Sequence, residues 1–407
     1  MNALRRRGRR VSRDFARTRD QLEDAVADGD LARGAQVCVL LGRERVCDVV
    51  LGDDGCGRPM AAETISSVFC AIKPIAAVAV ARHVEAGRLR LDEPLAELLP
   101  AVNALAAGAI TLRQVLNHTA GLHEPYAVHM ELLPPPKRVA FVDGMRLPDG
   151  WQVGRDAGYS EFVGWHLLGR VLEVVSGELL RDHLRAVVLD AIGMNDTWIG
   201  MTEQEYERNI ARLGMNHDLR GWVPFPMLLE QSRRVCCETN AAYGGYTTAR
   251  DLAAFYAAIV DRLCNGGSPE LPSASTLSEF CASARQRTYD VVLKRECEYG
   301  LGFMTGLADH HFGRWCSPKA FGHAGWSGTS FAFADPVHDL AVAVVLNGVT
   351  HSEKAFANRS ALVEAIYADL DLATLPADGG QRAAGAVDHD GERGVEFSIR
   401  AGRVDRA

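Results

Sequence analysis

Strand-forming runs stand near both ends of this chain, with a long stretch of helical pattern between them. AQVCVLLGRERVCDVVLG, from Ala35, reads as two β-rich runs around a turn at Gly42-Arg43-Glu44. SFAFADP, from Ser330, and LAVAVVLNG, from Leu340, are apolar or β-branched runs with a turn between them. The first hairpin and the last strands can bury their apolar faces by joining one antiparallel sheet, with the helical middle packed beside it. The expected class is therefore α/β (α+β): an antiparallel sheet flanked by helices, plus a mainly helical part. Apolar spacing places a helix within 11–32, an alanine-rich helix from about Pro74 to Gly87, and others around 161–175, 178–189, 248–262 and 353–370. The stretches 123–158 and 199–246 hold many of the prolines, glycines and aromatics and read as pocket-shaping loops.

With 407 residues, the chain suits one large composite domain or two domains. The boundaries expected are a basic arm over 1–17, one folded unit over 18–372, and a polar, glycine-rich tail over 373–407. Within the unit, about 18–66 and 265–372 form the α/β part and about 67–264 the mainly helical part. A net charge of -8 argues against nucleic acid as the main partner. Arg5, Arg6, Arg7, Arg9 and Arg10 resemble the start of an export signal, but no apolar segment follows, so they read as a solvated arm. No run of about 18 apolar residues is present, and the expected location is the cytoplasm, with no membrane partner.

Ten cysteines are spread over the chain without a CxxC pair or a zinc-like spacing with histidine. Most read as small, buried, reduced thiols. No metal and no cofactor are expected, since Asp309, His310 and His311 are adjacent and cannot converge on one ion.

One cysteine stands apart. Cys70 and Lys73 lie three residues apart where the alanine-rich helix begins, so sulfur and ammonium share a helix face. The first helical turn also directs unsatisfied N–H groups and a positive dipole at the sulfur, and both influences favour thiolate.

Around this pair the chain resembles the serine β-lactamase-like family, the class C β-lactamases, esterases and D-aminopeptidases whose nucleophile motif is SxxK. Thr64, Cys70 and Lys73, then Gly87, Leu89, Leu91, Asp92 and Pro94, fall in register with that family's pattern. ITLRQVLNHTAGL follows, with His118, Thr119 and Gly121 aligned, then GYSEFVGWHLLGRVLEVVSGELL, GMNDTWIGM and FGHAGWSGTSFAFADP. The blocks run in the family's order from about residue 35 to 370. The resemblance implies the β-lactamase/transpeptidase fold, with 18–372 as its catalytic unit. It implies that Cys70, Lys73 and Tyr159 are catalytic, Tyr159 as general base and later proton donor. The backbone N–H groups of Cys70 and Trp326 would form the oxyanion hole, and loss of one such donor typically costs about 3 kcal/mol. His323, Ala324, Gly325 and Trp326 would line the acyl group, and Glu161 would also face substrate. His118 reads as a turn-holding residue.

Three departures from the family pattern bear on function. The nucleophile is cysteine, the amide of the YxN motif is replaced by Glu161, and the lysine of K-T-G is His323, so a β-lactam substrate is not expected. An acyl-cysteine is a thioester, which amines discharge far more readily than water does compared with an oxygen ester. The expectation is therefore acyl transfer in small-molecule (natural-product) metabolism. The donor would be a small-molecule acyl compound, such as a thioester of coenzyme A or a carrier protein, and the acceptor an amine or alcohol. The competing readings are an ester, amide or thioester hydrolase of the same family, and a non-catalytic binding protein that keeps the cleft.

Overall fold

A computed structural model describes residues 14–29, 31–100, 102, 110–123, 130 and 133–373, and the two distant sets of strands meet in one sheet. Its strands are β1 (Gly34–Leu41), β2 (Glu44–Gly52), β3 (Phe321–Ala324), β4 (Ser330–Asp335) and β5 (Leu340–Leu346). They stand in the order β3-β4-β5-β1-β2, each neighbouring pair antiparallel. Val37 lies opposite Val344, and Val39 opposite Val342. The first thirteen residues and those beyond 373, which carry most of the expected arm and tail, lie outside the described residues.

Strand β5 shows why the sheet takes helices on both faces. Successive side chains on a strand point to opposite sides, and all seven residues of β5 are buried. Ala341, Ala343 and Val345 join the core that includes Leu252, Ala253 and Tyr256 of α4 (Ala249–Asn265). Leu340, Val342, Val344 and Leu346 join the opposite core, with Leu22 of α1 (Ala16–Ala27) and Leu362, Val363 and Ile366 of α5 (Glu353–Asp369). Alanines on the first face let α4 approach closely. Thr248 caps α4 by accepting from the Asp251 N–H, and Gly266, at φ 69°, ends it in the left-handed conformation that glycine adopts without penalty.

Helix α2 (Lys73–Glu85) is the alanine-rich segment, and every residue from Lys73 to Ala81 is buried. A helix apolar on all sides belongs in the middle of a core. It packs against α3 (Val163–Ser176) and the helix Ala274–Cys281. The segment over 178–189 is helical but changes pitch, passing through a π-helical turn at Arg185–Leu189.

The two stretches expected as loops carry short elements. Pro135–Asp143 is helical, with prolines in its first turn. Glu203–Asn209 is helical behind a reciprocal cap, in which Thr202 and Glu205 satisfy one another's backbone N–H groups. His217–Asp218 and Phe225–Pro226 form a small hairpin beside Gly348–Val349. No helix among the described residues is long and apolar enough to cross a membrane.

Candidate active site

Cys70 sits just before α2, in a tight 3-10 turn at Phe69–Ile72, and not in the α-helix proper. The turn is fixed from both sides. Val68 donates its N–H to Gly245 O (3.0 Å), and its carbonyl accepts from Ser330 Oγ of β4 (2.7 Å). Between them Phe69 takes a φ of 48°, a left-handed conformation that costs a bulky residue about 1–3 kcal/mol and persists only where surroundings enforce it. Of the ten cysteines, all unpaired, six are buried and Cys70 is only partly so. Burial pushes the thiols of Cys38, Cys47 and Cys236 up to about 12, which keeps them protonated.

Lys73, one turn after Cys70, is fully buried. Its Nζ donates to Glu161 O (2.8 Å) and Ala242 O (2.6 Å). The same nitrogen lies 5.3 Å from the centroid of the Tyr159 ring and 5.5 Å from that of Trp165. Two carbonyls and two aromatic faces form a box suited to an ammonium group. The resulting link joins α2 to the Tyr159 segment and to the loop before α4.

Tyr159 is held by its backbone. Its N–H donates to Asp290 Oδ1 (3.0 Å), the Ser160 N–H to His118 Nδ1 (2.9 Å), and the Gly158 N–H to His118 O (3.0 Å). The His118 ring lies 4.5 Å from the Tyr159 ring, so His118 does hold the turn it was assigned. Burial keeps the imidazole well below its usual range, and it stays neutral. Burial, followed by the proximity of Cys70 and Tyr299, holds the Tyr159 hydroxyl well above its ordinary value. It is therefore an O–H group at neutral pH. Glu161, two residues on, is exposed and adds to the same shift.

Beneath Tyr159 lies an ion pair absent from the sequence reading. Asp290 accepts from Arg285 at 3.1 Å, with side chains 0% and 3% exposed, and from the N–H groups of Val292 and Leu293. The Arg285 guanidinium stands 5.2 Å from the centre of the Tyr299 ring. Tyr299 in turn donates its hydroxyl to His323 Nε2 (2.9 Å), while His323 Nδ1 donates to Ala324 O (2.8 Å). Both ring nitrogens of His323 are thus engaged within the protein. Burial lowers its pKa to about 3, so it is neutral and reaches the site through Tyr299.

The edge strand β3 closes the site at Gly325. Its N–H donates to Ser330 O (2.6 Å), and a Cβ there would stand 2.5 Å from Val68 O, so only glycine lets β3 meet the cysteine turn. Trp326 follows, partly exposed, and Ser327 takes a φ of 53°. The structure thus gathers Cys70, Lys73, Tyr159, Glu161 and the His323–Trp326 segment. It adds Phe69, His118, Ala242, Arg285, Asp290 and Tyr299. No cluster suited to a metal ion occurs among the described residues.

The general model of the beta-lactamase family matches residues 19–366. The chain belongs to the beta-lactamase family. It is 25% identical over 342 residues to the esterase/beta-lactamase LipL of Mycobacterium tuberculosis, covering 77% of each chain. A penicillin-binding protein homologue from Caulobacter crescentus superposes with a TM-score of 0.73 at 25% identity, over 88% of this chain and 97% of that one. EstCE1, described as a hydrolase with promiscuous acyltransferase activity, superposes with a TM-score of 0.69 at 20% identity, over 88% of this chain and 99% of its own. The chain is an enzyme of the hydrolase and acyltransferase kind that this family comprises, built on the β-lactamase and penicillin-binding-protein fold.

Proposed function

We propose that the enzyme transfers acyl groups through a covalent thioester on Cys70. The observation that carries this reading is a partly accessible Cys70 one turn before the buried Lys73, whose ammonium nitrogen stands 5.3 Å from the centre of the Tyr159 ring. The sulfur attacks the acyl carbonyl of the donor, forming a C–S bond. The oxyanion is stabilised by the N–H groups of Cys70 and Trp326. Tyr159 passes the thiol proton to the leaving alcohol or thiol as its bond to the acyl carbon breaks. An amine or alcohol acceptor then attacks the thioester, its proton returns through Tyr159 to sulfur, and the C–S bond breaks.

Lys73 stands beside this exchange, its nitrogen bonded to the Glu161 and Ala242 carbonyls, and Ala324, Gly325 and Trp326 line the acyl group, with His323 behind them. Glu161, exposed where it can face the acceptor, favours an amine. The donor would be a small activated acyl compound, such as a thioester of coenzyme A or a carrier protein, in small-molecule biosynthesis in the cytoplasm. Hydrolysis is the second reading, favoured by the similarity to the esterase LipL. EstCE1, whose description pairs both activities, supports either outcome on one fold.

The test is intact mass after incubation with acyl thioesters and activated esters, with and without amines. An adduct on Cys70 discharged faster by amines supports transfer, and discharge mainly by water supports hydrolysis. The absence of any adduct supports a binding protein. Cys70→Ala abolishes the adduct, and Cys70→Ser shifts the surviving activity toward hydrolysis.

A further inference from the structure

Two of the residues beside Cys70 and Trp326 have left-handed backbones without being glycine. Phe69 (φ 48°) immediately precedes Cys70, so its ψ sets the direction of the Cys70 N–H. Ser327 (φ 53°) immediately follows Trp326. The side chains join these two places. The Phe69 and Trp326 rings meet edge to face, with centroids 5.8 Å apart and planes at 82°. The Arg220 guanidinium stands 4.8 Å from the centre of the Trp326 ring. Arg220 comes from the hairpin around His217–Asp218 and is clasped by Asp218 through two bonds, of 2.8 and 2.6 Å. Phe69 is 7% exposed, so little of its ring is free to contact substrate.

The geometry points to Phe69 as a positioning residue: through the Phe69–Trp326–Arg220 stack it fixes the separation of the two amide donors of the oxyanion hole. This rests on the Cys70 reading above. An aromatic pair of this kind has directional preference beyond its buried area, so an aliphatic side chain of similar bulk does not replace it. A displacement of the donors by a fraction of an ångström weakens them most where negative oxygen develops in the transition state. Attack of Cys70 on an sp³ carbon develops no such oxygen and is insensitive to the stack.

The experiment compares two reactions of Cys70 in the whole enzyme: acylation by p-nitrophenyl butyrate and alkylation by iodoacetamide. Phe69→Leu is expected to slow acylation about tenfold, chiefly in kcat, with alkylation within about twofold of wild type. Phe69→Tyr restores acylation to within about twofold, and Arg220→Ala slows it about threefold. In the double variant Phe69→Leu/Trp326→Leu the losses do not multiply, because one stack is broken either way. Equal losses in both reactions, unchanged acylation in Phe69→Leu, or multiplying losses in the double variant would each overturn the assignment. If the wild-type enzyme forms no Cys70 adduct with the ester, the Cys70 reading falls and this one with it.

Discussion

Replacing Asp290 by asparagine removes one charge from beneath Tyr159 while keeping the shape of the side chain. The carboxylate accepts from Tyr159 N–H (3.0 Å), Val292 N–H (3.0 Å) and Leu293 N–H (3.1 Å) on one oxygen, and from Arg285 (3.1 Å) on the other. Asparagine can satisfy the three N–H groups with its single oxygen, but its NH2 group then faces the guanidinium, donor against donor. Arg285, 3% exposed, is left as an uncompensated interior cation. Breaking a buried pair from one side costs about 3–5 kcal/mol, set against a total stability of about 5–15 kcal/mol for a folded protein. Asp290→Asn is therefore expected to lose about 3–5 kcal/mol in urea unfolding followed by tryptophan fluorescence. Ester-dependent acylation of Cys70 falls as well, since the Tyr159 backbone loses its anchor. In a cycle with Arg285→Gln, the double variant recovers at least about 2 kcal/mol relative to the sum of the singles. A loss below about 1 kcal/mol in Asp290→Asn would show that the pair neither carries stability nor seats Tyr159.

His323 supplies a pH test. It stays neutral in the folded protein down to about pH 3, while in the unfolded chain it gains a proton below about 6.5, so its contribution is complete above pH 6.5 and is lost as pH falls toward 3. Unfolding measured between pH 6 and 4 should show a slope shallower by about 1.4 kcal/mol per pH unit in His323→Gln than in wild type, and equal slopes count against a neutral His323. Gly325→Ala brings a Cβ to 2.5 Å from Val68 O. Acylation of Cys70 is expected to drop at least about tenfold even where circular dichroism shows a folded protein, and wild-type rates would mean that β3 does not set the site. Lys73→Met keeps the buried volume but leaves the Glu161 and Ala242 carbonyls without their donor. It is expected to cost about 2–4 kcal/mol and to abolish turnover; retained turnover in steady-state assays would remove Lys73 from the chemistry.

The sheet was legible in the sequence because a short run that is apolar at every position, such as Leu340 to Leu346, needs an apolar environment on both of its faces. Helix α2 was legible from its alanines, and Cys70 with Lys73 from spacing and resemblance together. The exact seat of Cys70 was not: a 3-10 turn replaces the first α-helical turn because Phe69 adopts a positive φ, which residue type alone argues against. Asp290 escaped notice because its partner Tyr159 is 131 positions away and charged residues usually solvate. Ala242 acts on Lys73 through its carbonyl, which every residue has, so no side-chain signal exists. The helix at Glu203–Asn209 could have been found, since Thr202 and Glu205 stand at capping-box spacing within the stretch assigned to a loop.

The closure of the sheet also sets a clock on biosynthesis. Gly34 donates its N–H to Asn347 Oδ1, a partner 313 positions later in the chain. At translation rates of about 5–20 residues per second, β1 waits roughly 15–60 s for β5 to emerge. Until then the β1–β2 hairpin presents an unpaired, apolar edge to the cell, the kind of surface that invites aggregation. Contacts this distant in sequence also slow folding itself. Edge strand β3 and Trp326 emerge in the same late window. A nascent chain therefore carries Cys70 without the Gly325–Trp326 segment beside it for most of its synthesis, and the candidate site is assembled only when the last strands dock.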